Sequence, residues 1–151
     1  LRRQRQMCIR DRLDPYIVNR WGGMGKTDEL LEKTFRGETS EVGVYLAMAR
    51  QAEREGHTNV VVYLRQLAME EAAHAARAAE LLGMVGKTKD EIEKMVEGER
   101  NADSDKMEAA RIAREEGNED AARFFEEAAK DEARHRAGLE GILKRFEAHG
   151  W

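Results

Sequence analysis

The chain has 151 residues, 37% of them charged and 6% aromatic, with one proline and a formal net charge of −4. That size fits one domain with a real core, and the composition favours long amphipathic helices over a sheet. The acidic balance argues against a nucleic-acid partner, no apolar run approaches the roughly 20 residues of a membrane span, and the lone Cys8 leaves no intrachain disulfide or thiolate metal site, which fits a reducing cytoplasm.

Residues 1–23 read as an N-terminal extension. Leu1 to Arg12 is basic and lacks the apolar stretch of a secretory signal. The run from Gln6 to Arg12 looks like translated adapter sequence, so 1–12 is expected to be non-native and Cys8 is given no role. Pro15, Tyr16 and Trp21 suggest an extended arm, and Gly22-Gly23-Met24-Gly25 breaks the chain before the first helix.

Residues 24–149 read as one all-α domain of four helices. The first is predicted from Thr27 or Asp28 to Glu55, with Thr27 as N-cap and Gly56 as its stop. Leu30, Leu31, Phe35, Glu38, Val42, Tyr45, Met48 and Ala52 recur along it at helical spacing. The second runs from about Thr58 to Leu82 and stops at Gly83, with Val61, Leu64, Leu67, Glu71, His74, Ala78 and Leu81 facing inward. The third starts near Thr88, with Glu91 completing a capping box, and stops at Gly117; its middle, Asn101 to Lys106, is very polar. The fourth runs from about Glu119 to Phe146. Met48, Met69, Met95 and Met107 are expected as core filler, and His57 and His149 as solvated.

Shifting the chain by 61 lays residues 25–82 on 86–143 without a gap. Gly25-Lys26-Thr27 falls on Gly86-Lys87-Thr88, Gly37-Glu38 on Gly98-Glu99, and Glu55-Gly56 on Glu116-Gly117. The chain is therefore two copies of one helical hairpin. Each copy carries a Glu-x-x-His, Glu71-Ala72-Ala73-His74 and Glu132-Ala133-Arg134-His135. Positions i and i+3 share a helix face, so each motif aims a carboxylate and an imidazole the same way. One such motif is unremarkable in a chain this charged. Two, with Glu38 and Glu99 each 33 residues before the motif's Glu, are the ligand set of a di-iron or di-manganese centre in a ferritin-like four-helix bundle. Four inward carboxylates without a cation would be very costly. The bland alternative is a bundle in which these acids are partly solvated.

These phrases, with Tyr45 and Asp131, are similar to the ferritin-like domain of the rubrerythrin family over residues 24–147. The run from Gly37 to Arg50 resembles the reverse-rubrerythrin branch. The resemblance implies two iron ions, with manganese the alternative metal. It implies Glu38 and Glu99 as terminal ligands, Glu71 and Glu132 as bridging ligands, and His74 and His135 capping one metal each. Many members add a Glu three residues after the Gly-Glu of the third helix; here that position is Ala102, and its repeat mate is Glu41. Glu41 is therefore predicted to approach the metal that His135 binds, against a plain surface acid. Asp131 and Glu70 are predicted to orient His74 and His135 respectively, against salt bridges to nearby arginines. A Tyr at position 45 sits near the metals in the family; otherwise it is a core tyrosine that needs a hydrogen bond.

The implied function is reduction of hydrogen peroxide to water. Dioxygen-dependent ferroxidase or oxidase chemistry, and a non-catalytic metal-stabilised dimerisation module, are the alternatives. Many rubrerythrins carry a rubredoxin domain that feeds electrons to the site; a lone cysteine cannot supply one, so a separate donor such as a rubredoxin-like protein is expected, unless an N-terminal domain is missing. For the two Glu-x-x-His helices to face each other, the third helix must run parallel to the second. Residues 83–87 are too few for that return, so either helix ends melt or the hairpins pair between chains in a domain-swapped homodimer, the preferred reading.

Overall fold

The computed structural model describes residues 25–150, and among these the chain is all-α, with no strand. The helices are α1, Lys26–Arg54; α2, Thr58–Leu81; α3, Thr88–Glu115; and α4, Glu119–His149. They form two hairpins, α1–α2 and α3–α4. The expected extension, with Cys8, Pro15, Tyr16 and Trp21, lies outside the described residues.

The helix stops are glycines, as expected. Gly56 and Gly117 sit at φ 81° and 75°, a region that L side chains enter only with strain. Around Gly56 the amide of His57 bonds the Ala52 carbonyl at 2.9 Å and the Gly56 amide bonds Glu53 at 3.1 Å. This pair of bonds closes a helix end on a left-handed residue. Asn118 repeats it on Ala113 at 2.8 Å.

Helix starts differ from expectation. The N-cap of α1 is Gly25, not Thr27, and the Asp28 carboxylate accepts the Gly25 amide at 3.3 Å. Glu91 does reach back at the start of α3, but it accepts from Gly86 N, one residue ahead of the Lys87 cap. α4 runs three residues past Phe146, to His149. The polar middle of α3 stays helical because α4 and the helix itself supply partners. Arg100 pairs with Glu97 at 2.7 Å, Asp103 with Arg136 at 3.7 Å, and Lys106 with Glu132 at 2.5 Å.

Each hairpin has a narrow core of small side chains. Ala49, Ala52, Val61, Leu64 and Ala68 are buried in the first, and Ala110, Ala113, Ala122 and Ala129 in the second. Ala49/Ala110, Ala52/Ala113, Val61/Ala122 and Ala68/Ala129 are repeat mates at the offset of 61. Alanine lets two helices approach closely along one stripe. The long apolar side chains then lie beside that stripe. Met48, Met69, Met95 and Met107, expected as filler, are 47%, 69%, 45% and 52% exposed. Leu30 and Leu81, expected to face inward, are exposed as well.

Candidate metal centre

The first half-site is built where α1 and α2 bring their carboxylates together. Glu38 on α1 and Glu71 on α2 bring carboxylate oxygens within 4.8 Å of each other and of a His74 ring nitrogen. A hydrogen bond to Glu71, then burial, holds the Glu38 carboxyl above its ordinary value; the same bond, then that of His74, holds Glu71 below. Nδ1 of His74 lies 3.1 Å from Oε2 of Glu71 and 3.7 Å from Oε2 of Glu38. Its hydrogen bond to Glu71 raises the imidazole's affinity for a proton.

The second half-site repeats the first. Nδ1 of His135 lies 3.1 Å from Oε2 of Glu132 and 3.8 Å from Oε2 of Glu99. The hydrogen bond to Glu132, then burial, raises Glu99; the bond to Glu99, then that from Lys106, draws Glu132 down to about 2. In each half, one ligand atom from each of the three residues lies within 4.8 Å of the others.

This arrangement fits a divalent cation. In each hairpin two acids and an imidazole nitrogen converge, with the Lys106 ammonium as a further partner of Glu132 in the second. A cation placed among them satisfies all three donors at once. Two carboxylates and one imidazole suit iron or manganese.

The remaining predicted residues lie outside the two three-donor groups. Tyr45 is half-buried, packed against Ala49, Ala52, Val61 and Leu64. Burial, then the charges of Glu41 and Glu71, raises its phenol above the ordinary value, so the hydroxyl stays protonated. Glu41 is exposed and lies outside the three-donor group, though its charge reaches both Glu38 and Tyr45. Glu70 is exposed and accepts from Gln66 Nε2 at 2.8 Å, and Asp131 pairs with Arg134 at 2.8 Å. His57 is exposed near Glu55, and His149 is exposed.

Sequence reasoning missed Lys106. Its Nζ lies 2.5 Å from Oε1 of Glu132, with Lys106 29% and Glu132 17% exposed. The signal was present: Lys106 is the repeat mate of Tyr45, seven residues after Glu99 as Tyr45 is seven after Glu38.

A family model described as rubrerythrin matches residues 29–143. The chain is 48% identical over 128 residues to an uncharacterised protein of Methanocaldococcus jannaschii, covering 82% of this chain and 91% of that one. It is 42% identical over 120 residues to reverse rubrerythrin-1 of Clostridium acetobutylicum, covering 78% and 66%. It is 28% identical over 136 residues to a rubrerythrin of Porphyromonas gingivalis, covering 81% and 68%. The chain thus spans about two thirds of the length of these last two relatives.

Proposed function

The chain belongs to the rubrerythrin family, and from that premise we propose that it is a non-haem di-iron peroxidase, reducing hydrogen peroxide to water with electrons from a separate donor. The observation that carries this reading is the pair of Glu–Glu–His groups, each with its donor atoms within 4.8 Å. When bound there, two ferrous ions supply one electron each, so that hydrogen peroxide and two protons become two waters. Glu38, Glu71, Glu99 and Glu132 would hold the two metals, Glu38 and Glu99 as terminal ligands and Glu71 and Glu132 as shared ones. His74 and His135 bind through Nδ1, the nitrogen already turned to the carboxylates. Their Nε2 atoms are left for Asp131 and Glu70 respectively, a contact that requires each acid to leave Arg134 or Gln66. Glu41 would be the seventh ligand, a carboxylate on the side of the metal that His135 would hold. Tyr45 keeps a protonated hydroxyl beside the first half-site.

A whole site needs both hairpins, and the connection between them is short. α2 ends ten residues beyond Glu71, and α3 begins eleven before Glu99. At about 1.5 Å per residue those excursions total about 32 Å. Residues 82–87 reach about 20 Å. We therefore propose a domain-swapped homodimer, in which each hairpin completes its site with the other hairpin of a second chain. The exposed apolar positions support such pairing, because they too are duplicated: Leu46 with Met107, Tyr63 with Phe124, and Leu81 with Ile142. Among the described residues no helix is long and apolar enough to cross a membrane. The proposed setting is the cytoplasm, with a small rubredoxin-like protein as electron donor.

Anaerobic stopped-flow measurement tests the activity. The diferrous protein is expected to be oxidised faster by hydrogen peroxide than by dioxygen. Faster oxidation by dioxygen would replace the peroxidase reading with an oxidase one, and no reaction with either would leave a structural metal module.

A further inference from the structure

We propose that Lys106 is an internal counter-ion that makes the two half-sites unequal, so that the Tyr45 half takes a divalent cation first and the Lys106 half second. The inference rests on the metal-centre reading above and concerns this chain's own asymmetry.

The duplication reproduces the ligands but not this position. In the second hairpin the Lys106 ammonium lies 2.5 Å from Oε1 of Glu132, while Oε2 of the same carboxylate lies 3.1 Å from His135. Both oxygens of that ligand are therefore engaged. At the same register the first hairpin presents a phenol, Tyr45, half-buried against the hairpin core. A cation entering the first half meets no lysine at that register. A cation entering the second half must also share or take Glu132 from a fixed positive charge that is itself largely shielded from water. Like charges over one carboxylate repel, and partial burial weakens the screening. The second half therefore binds more weakly, and its ion is the more easily lost.

Titration of the metal-free full-length chain with Co2+, followed by calorimetry and visible absorption, tests this. The wild type is expected to take up two ions per chain in steps at least tenfold apart in affinity. Lys106→Tyr, which copies the repeat mate, and Lys106→Met should tighten the second step more than the first, closing the gap to about threefold. Lys106→Arg should keep the gap. Far-UV circular dichroism of each variant confirms that the helices are retained. Two equal steps in the wild type, or a gap that survives both neutral substitutions, would overturn the proposal while leaving the metal centre standing. Absence of Co2+ binding by the wild type would overturn both.

Discussion

Tyr45 sits two helical turns beyond Glu38 on α1, with its ring against the hairpin core and its hydroxyl held in the protonated form. In the function proposed above, this phenol, within electrostatic reach of Glu38 and Glu71, would donate a hydrogen bond or a proton at the site. Tyr45→Phe keeps the ring and its packing and removes only that donor. The expected outcome is unchanged helicity and metal content, with a fall in the anaerobic peroxide rate of about 10- to 100-fold, toward the lower end of what a positioned general acid contributes. An unchanged rate would make Tyr45 a packing residue. Ligand substitutions behave differently: Glu38→Ala or Glu99→Ala should lower metal content itself, from about two ions per chain toward one, read by elemental analysis after anaerobic loading. The contrast separates side chains that hold the metal from those that act on what it binds.

At the scale of the element, the duplicated hairpins differ at their turns in ways that are measurable. Asn118 caps α4 through Oδ1, which accepts the Ala121 amide at 3.1 Å. Its repeat mate His57 stands at the N-cap of α2 with no side-chain bond to the helix. Asn118→Ala should cost about 1 kcal/mol, and His57→Asn should add up to about that much, both read by chemical denaturation. A gain of nothing at His57 would mean that the α2 start cannot adopt the capped geometry. The turns also carry a reversed ion pair. Glu53 faces Arg65 at 3.4 Å in the first hairpin, and the same two registers hold Arg114 and Glu126 at 2.7 Å in the second. If α1 took α4 as its partner, Glu53 would meet Glu126, and Arg65 would meet Arg114. Each pair contributes little as a surface contact, but the reversal disfavours exchange of helices between otherwise similar hairpins.

Helix stops and the two Glu–Glu–His groups were legible in the sequence because they depend on local chemistry and on spacing along one helix. Gly56 and Gly117 are needed wherever the chain must turn left-handed, and Glu-x-x-His aligns on a helix face in any fold. What was not legible depends on the neighbouring helix. The alanine stripe became visible only once the two helices were seen to pack along it, which displaced Met48 and Met107 to the flanks. Lys106 was read as part of a polar weak spot; its meaning requires Glu132 opposite, 26 residues along the chain.

At the scale of the whole molecule, the proposed exchange of hairpins between chains can be put to two variants. Glu71→Ala disables the first half-site and Glu132→Ala the second, so neither variant alone has an intact site in any assembly. If each chain folds its own hairpins into one bundle, mixing the two variants restores nothing. If hairpins pair between chains, a mixed dimer joins the intact first hairpin of one variant to the intact second hairpin of the other. One of its two sites is then whole and the other lacks both bridging carboxylates. Random mixing of equal amounts makes half of the dimers mixed, so about a quarter of the wild-type complement of intact sites should return. The measurement is metal content and peroxide reactivity after the variants are unfolded together and refolded, against each refolded alone. Sedimentation should show dimers throughout. Recovery near a quarter requires exchange of hairpins between chains; no recovery, with dimers present, would place both halves of each site in a single chain and require the helix ends at Leu81 and Thr88 to unwind.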